Sequence, residues 1–258
     1  MPFQTMKALI LGCGTSTGVP LIGCGCAVCV STEPKNKRTR ASALLSVNGR
    51  NILIDTSTDL RAQALVNNLR RIDAVLYTHE HADHLHGIDD LRSFNMAMGA
   101  SIPCYSDLKT ISKIREKFSY IFERSEGDGW KPELTLHEIK GKFNLFDFEV
   151  TPVEIEHGYG RILGFRVGAL AYITDCSGIP KEALGLLKGV NVLILGALRQ
   201  KPHPSHFSID EAIEAAGQVG AGEVYLTHLG HNLDYVTDSP KLPQGVHFAY
   251  DGLEIDVP

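Results

Sequence analysis

The segment Thr78-His79-Glu80-His81-Ala82-Asp83-His84 places four metal-ligating side chains, His79, His81, Asp83 and His84, within six consecutive positions. Imidazole and carboxylate together favour zinc or a neighbouring first-row divalent ion. Four such groups exceed what one open catalytic ion takes from a single loop, so the spacing points to two ions, each completed by ligands from elsewhere. The plainer reading is a histidine-rich surface loop. With 11 His in 258 residues, an H-x-H-x-D-H arrangement rarely arises by chance.

A second cluster, Cys24-Gly25-Cys26-Ala27-Val28-Cys29, has C-x-C-x-x-C spacing. Three thiolates so placed can wrap one tetrahedral ion, and a fourth ligand would close a structural zinc site. A redox pair is the competing reading. Cys26 and Cys29 form C-x-x-C, but in a Gly-rich loop rather than at a helix start after a strand.

The elements that position these groups follow from patterning. Ile72 to Tyr77 is short, apolar and β-rich, so it reads as a buried strand with the histidines on the loop leaving its end. Three later strand-like runs also end in a candidate ligand: Glu149–Glu156 in His157, Leu170–Thr174 in Asp175, and Glu223–Thr227 in His228. In layered α/β folds, sites form at strand ends. Lys7 to Gly12 reads as the first strand, and Gly12 to Pro20 as a tight glycine-rich turn that lacks a phosphate-loop lysine. Asn48-Gly49 between two alternating runs predicts a hairpin, and Asp251-Gly252 signals a second one near the end of the chain.

Helices are expected over 59–71, 85–98 and 109–122, with a turn at Gly127-Asp128-Gly129. Asp55 ends a strand near the metal loop, where it could orient a ligand histidine or cap a helix. The basic run Lys35 to Arg40 reads as a solvated loop.

Composition bounds the rest. With 43% hydrophobic residues, the chain can bury a sizeable core. A formal net charge of −5 argues against a broad nucleic-acid face. No apolar run approaches the ~20 residues of a membrane span. The start carries no signal-peptide pattern, and 6 scattered or crowded Cys do not form a secreted disulfide framework, so a cytoplasmic location is expected.

With these residues assembled, the chain resembles the metallo-β-lactamase superfamily, whose signature is H-x-H-x-D-H followed by distant His, Asp and His. Within it, the chain is most similar to the phosphoribosyl 1,2-cyclic phosphate phosphodiesterases of the carbon–phosphorus lyase pathway. Shared features are the Gly14–Pro20 turn, the cysteine loop, Thr227-His228-x-x-His231 and the Asp251-Gly252-x-Glu254-Ile255 ending. Ser106 to Trp130 does not match visibly.

The resemblance implies a single α/β domain over 1–258, an αββα sandwich with a zinc-binding loop at about 23–30. It implies two catalytic divalent ions, zinc or manganese. His79, His81 and His157 would hold one, Asp83, His84 and His228 the other, with Asp175 bridging. Cys24, Cys26, Cys29 and His231 would hold a structural zinc. His206 falls at the position of the family's proton-donating histidine, with His203 the alternative, and Asp83 would also orient the nucleophilic water.

The expected reaction is hydrolysis of a small phosphodiester by a hydroxide bridging two metals ~3.5–4 Å apart. A homodimer is the family expectation. Transfer-RNA 3′-processing endonuclease ranks second, because that substrate needs extended basic surface. A glyoxalase-type thioester hydrolase ranks third, since too little chain follows His231 for a helical substrate-binding extension. A lactamase ranks lower, and a non-catalytic scaffold predicts broken ligands where all seven are intact.

Overall fold

The computed structural model describes residues 6–123 and 131–258, so the expected turn at Gly127-Asp128-Gly129 lies outside the described residues. The first half supplies β1 (Met6–Gly12), β2 (Ser42–Val47), β3 (Arg50–Ile54), β4 (Ala74–Leu76), β5 (Ile102–Ser106) and β6 (Leu134–Glu138). The second supplies β7 (Phe143–Leu145), β8 (Phe148–His157), β9 (Gly160–Val167), β10 (Leu170–Ile173), β11 (Val192–Gly196), β12 (Glu223–Thr227), β13 (Val246–Phe248) and β14 (Glu254–Val257). The helices are α1 (Ala27–Val30), α2 (Leu60–Val66), α3 (Ala82–Leu85), α4 (Leu91–Met98), α5 (Leu108–Lys117), α6 (Ser119–Phe122), α7 (Lys181–Leu187), α8 (Ile209–Val219) and α9 (Tyr235–Asp238).

Among the described residues the strands form two seven-stranded sheets, ordered β14-β1-β2-β3-β4-β5-β6 and β13-β12-β11-β10-β9-β8-β7. Each is part antiparallel and part parallel: β3 to β6 run parallel in the first, β10 to β13 in the second. Period-two alternation sorts the side chains. Ala8, Ile10, Leu45, Ile52, Ile54 and Leu76 face the second sheet's Val153, Phe165 and Leu193. Leu11, Leu44, Leu53, Val75 and Tyr77 point the other way, onto Leu60, Leu91, Phe94 and Ile114 of α2, α4 and α5. Ala183, Leu187, Ala212 and Ala216 of α7 and α8 join the core of the second sheet. The architecture is the expected αββα sandwich.

Asn48 and Gly49 both have positive φ, 48° and 73°, and join β2 to β3 as a hairpin. The Gly12–Pro20 turn is structural: Gly14 N donates to Thr39 O, and Thr15 N to Leu229 O.

Five expectations need correction. The helix expected over 109–122 breaks at Phe118 into α5 and α6. Asp251-Gly252 is not a hairpin, because β13 pairs with β12 and β14 with β1, in different sheets. Asp251 instead accepts from Cys13 N, Thr39 N and Thr39 Oγ1, and fixes the chain as it crosses between sheets. The helix expected over 59–71 ends at Val66, followed by Asn68 at φ 56°. The helix expected from Leu85 is broken into α3, a 3-10 turn at Ile88–Asp90, and α4. The Lys35–Arg40 run is not simply solvated, since Asn36 and Arg38 are buried.

Candidate metal centre

β4 delivers Thr78 to the end of the first sheet, and the chain then turns through His79 and His81 into α3, which carries Asp83 and His84. β8 ends in His157, Asp175 follows β10, and His228 follows β12. The sandwich brings these three strand ends against the His79–His84 loop, and Leu163 N donates to Thr78 O across the two sheets.

Two groups of ligand atoms result, each gathered within 4.8 Å: His79, His81, His157 and Asp175, and Asp83, His84, Asp175 and His228. Asp175 is shared. Its Oδ2 lies 3.9 Å from His79 Nε2, while its Oδ1 lies 3.1 Å from His84 Nε2 and 3.3 Å from His228 Nε2. Asp83 Oδ2 is 3.1 Å from His84 Nε2 and 3.5 Å from His228 Nε2.

These separations suit donors around one ion. Two ligand atoms each about 2.0–2.1 Å from a tetrahedral centre stand roughly 3.3 Å apart. The same test fits the cysteine loop, where S and N donors on zinc would stand about 3.5 Å apart. His231 Nδ1 lies 3.4 Å from Cys24 Sγ, 3.4 Å from Cys26 Sγ and 3.7 Å from Cys29 Sγ. Cys26 precedes the one-turn helix α1, which does not follow a strand.

Burial strengthens the case. His79 Nε2, Asp83 Oδ2, His84 Nε2 and both His228 ring nitrogens are buried without hydrogen-bond partners. Orphaned buried polar atoms are costly, and groups of them call for an ion. The opposite ring edges are engaged. His84 Nδ1 donates to Asp55 Oδ2 at 2.8 Å, His79 Nδ1 to Thr78 Oγ1 at 2.9 Å, and His157 Nδ1 to Ser205 O at 2.8 Å. Each bond fixes the tautomer that leaves Nε2 free. Thr78 Oγ1 in turn donates to Asp55 Oδ2, and Thr78 N to Asp55 Oδ1. Asp55 therefore holds His84 and, through Thr78, His79 in place and does not cap a helix.

Backbone strain marks the same residues. Asp55, Asp175 and His228 have φ of 63°, 51° and 58°, left-handed values that cost non-glycine residues about 1–3 kcal/mol each.

The electrostatics are those of a charged, largely buried centre. Burial alone would raise the Asp175 pKa, but His228, His84 and His79 outweigh it and hold the carboxyl well below its ordinary range. Burial likewise works against protonating His84, yet Asp175, Asp83 and Asp55 together raise it. Burial, aided by His84, lowers His79.

His206 borders both groups. Its Nδ1 lies 3.9 Å from Asp175 Oδ2, its ring stacks on His228 at 4.9 Å, and its ring meets that of His157 edge-on at 4.9 Å. Burial and His228 push its pKa down to about 3. His203 sits outside it, accepting from Ser205 N at 3.3 Å. Sequence reasoning missed Thr78 and Ser205 as supports, although Thr78 stands beside the motif.

A family model described as a beta-lactamase superfamily domain matches residues 50–229. A solved structure described as a new diphosphatase from the PhnP family is 39% identical, covering 98% of this chain and 97% of its own, with a TM-score of 0.91. The chain belongs to the PhnP family of the metallo-β-lactamase superfamily. Among curated proteins, an octanoyltransferase of Porphyromonas gingivalis is 41% identical over 254 residues, 96% of this chain and 51% of that protein. A ribonuclease Z of Clostridium acetobutylicum is 37% identical over 147 residues, 53% of this chain and 45% of that protein. The chain thus spans about half the length of these curated superfamily relatives. Among the described residues, no helix is long and apolar enough to cross a membrane.

Proposed function

We propose that this chain is a metal-dependent phosphodiesterase acting on small, ribosyl-type cyclic phosphodiesters. The observation that carries the reading is the division of Asp175: one carboxylate oxygen faces His79, and the other faces His84 and His228. In this reading His79, His81 and His157 would hold one divalent ion, zinc or manganese, and Asp83, His84 and His228 the second, with Asp175 available to both. When bound, such a pair acidifies water and neutralises charge on phosphoryl oxygens.

The chain's own residues do the rest. Asp55, Thr78 and Ser205 keep three imidazoles turned so that Nε2 faces the site. Asp83, besides holding an ion, would orient the attacking water through its carboxylate as an acceptor. His206 protonates the leaving alkoxide, a role typically worth about 10²–10⁴-fold. An anionic diester beside the ring opposes the lowering of its pKa by burial and His228. Cys24, Cys26, Cys29 and His231 would hold a structural zinc at the loop that follows β12.

The diphosphatase relative favours a second reading, cleavage of a P–O–P rather than a P–O–C linkage by the same groups. RNA processing receives less support, because the net charge is −5 and an RNA face needs excess basic charge. Acyl transfer through a thioester would need an activated thiol. Cys13, Cys104 and Cys176 are buried, and burial pushes each thiol's pKa up; Cys26, which the Cys29 backbone N–H lowers to about 6, sits within the cluster of Cys24, Cys29 and His231 rather than beside the His–Asp centre.

The test is a substrate panel with defined metals: ribosyl 1,2-cyclic phosphate, 2′,3′-cyclic nucleotides, a dinucleoside diphosphate, precursor transfer RNA and a glutathione thioester. Preferred turnover of the ribosyl cyclic ester, lost in Asp83→Ala, is expected. Preference for the diphosphate would support the second reading, and cleavage of RNA alone would overturn the first.

A further inference from the structure

Arg38 has a relative exposure of 2% and Asn36 of 0%, although both lie in a basic loop. The Arg38 guanidinium is spent on uncharged oxygens. Nη1 donates to Gly230 O at 2.9 Å, Nη2 to Leu233 O at 2.8 Å and Asn36 Oδ1 at 3.1 Å, and Nε to Lys35 O at 3.3 Å. Asn36 continues the clasp: its Oδ1 accepts from Tyr235 N and its Nδ2 donates to Asp234 Oδ2, both at 2.8 Å. Every one of these bonds except those to Lys35 and Asn36 itself lands on residues 230–235.

The stretch 228–235 to which these residues belong is unusual in what it carries. His228 belongs to the His–Asp centre and His231 to the cysteine cluster. His228 is held at φ 58°, and Leu229 N is pinned to Cys13 O on β1's exit. The carbonyls of Gly230 and Leu233 lie on either side of His231 in the chain, so the Arg38 fork fixes the backbone that carries His231 and, through Gly230, its link back to His228. A planar fork with donors in two directions does this where a single ammonium reaches one carbonyl at a time.

We propose that Arg38 is a positioning residue that couples the two metal sites, so that an ion on the cysteines strengthens ion binding through His228. The proposal rests on the metal reading above. Coupling of this kind is reciprocal: each ion raises the affinity for the other by one common factor. It predicts selectivity, because the ion held by His79, His81 and His157 takes nothing from this loop.

The test measures metal affinity directly, by chelator competition on full-length wild type, Cys26→Ser, Arg38→Met and the double variant, with thermal stability in parallel. Cys26→Ser and Arg38→Met should each weaken one of the two His–Asp ions about tenfold, the low end for loss of an orienting partner. The double variant should be no worse than either single one. Arg38→Lys, which keeps the charge and one donor direction, should fall between and supplies the measurement if Arg38→Met fails to fold.

Equal weakening of both His–Asp ions, tracking lost thermal stability, would reduce Arg38 to a general brace and overturn the proposal. So would unchanged affinities, or independent effects that multiply in the double variant. If wild type fills the His–Asp centre but takes no ion on the cysteines, the coupling is overturned at that end, while the phosphodiesterase reading stands.

Discussion

Asp55 Oδ2 lies 2.8 Å from His84 Nδ1, with both side chains fully buried. The carboxylate is further tied to Thr78 N and Thr78 Oγ1, and through that hydroxyl to His79. One carboxylate thus sets the ring orientation of a histidine in each of the two ligand groups.

Asp55→Asn keeps the shape but offers one acceptor where three donors converge. Metal affinity should fall about 10–100-fold, the usual cost of losing a partner behind a metal-bound histidine. Competition with a chromophoric chelator measures it. Unchanged affinity would mean that Asp55 only packs.

His206→Ala should discriminate by leaving group. An alkyl diester, whose alkoxide needs a proton, should lose about 10²–10⁴-fold in kcat. A nitrophenyl diester, whose leaving group departs unprotonated, should lose far less. Equal losses on both substrates would remove His206 from the acid role. His203→Ala should show the same preference more weakly, because His203 touches Ser205 and the His206 ring, 5.2 Å between centroids, but belongs to neither ligand group.

Gly196 stands behind Asp175 in β11. A Cβ there would lie 2.8 Å from Asp175 N, against backbone that cannot swing aside. Gly196→Ala should cost about 1–3 kcal/mol by overpacking and lower metal retention. Gly185→Ala, in open space on α7, is the matched control and should stabilise by about 0.5–1 kcal/mol. Urea denaturation of both variants checks the pair.

Asp73 gives the pH dependence. Burial alone would raise its pKa, but Arg71, the Asn51 backbone N–H and Arg50 outweigh burial and hold it below the ordinary range. With a depressed folded value, the unfolded chain takes up the proton first as pH falls. The advantage of wild type over Asp73→Asn should be complete above about pH 5 and shrink as pH drops below about 4. The arginines are half exposed, so the difference at pH 7 should be modest, at most about 1 kcal/mol. Unfolding free energies measured across that range decide it.

What could be read from the sequence was what is encoded locally. His79 to His84 announce themselves by spacing, and His157, Asp175 and His228 by following β-rich runs, because strand ends gather at one edge of a layered fold. Arg38 could not be read this way. Its burial depends on carbonyls 192 and 195 residues away, and a basic hexapeptide looks solvated until they arrive. Asp251-Gly252 misled for the same reason. Its partners Cys13 and Thr39 lie more than 200 residues back, and they turn a hairpin signal into a crossing between sheets. Asp55 was legible as a carboxylate near the loop, but choosing between cap and ligand support required the 2.8 Å contact with His84.

The most direct measurement is a metal titration of stripped protein, following hydrolysis of a nitrophenyl diester in wild type and Asp175→Asn. Wild-type turnover should be absent without metal and rise until two ions fill the His–Asp centre, while Asp175→Asn stays near background. Full turnover by the stripped chain, or none with both ions bound and every substrate of the panel tried, would contradict a metal-dependent phosphodiesterase centred on Asp175.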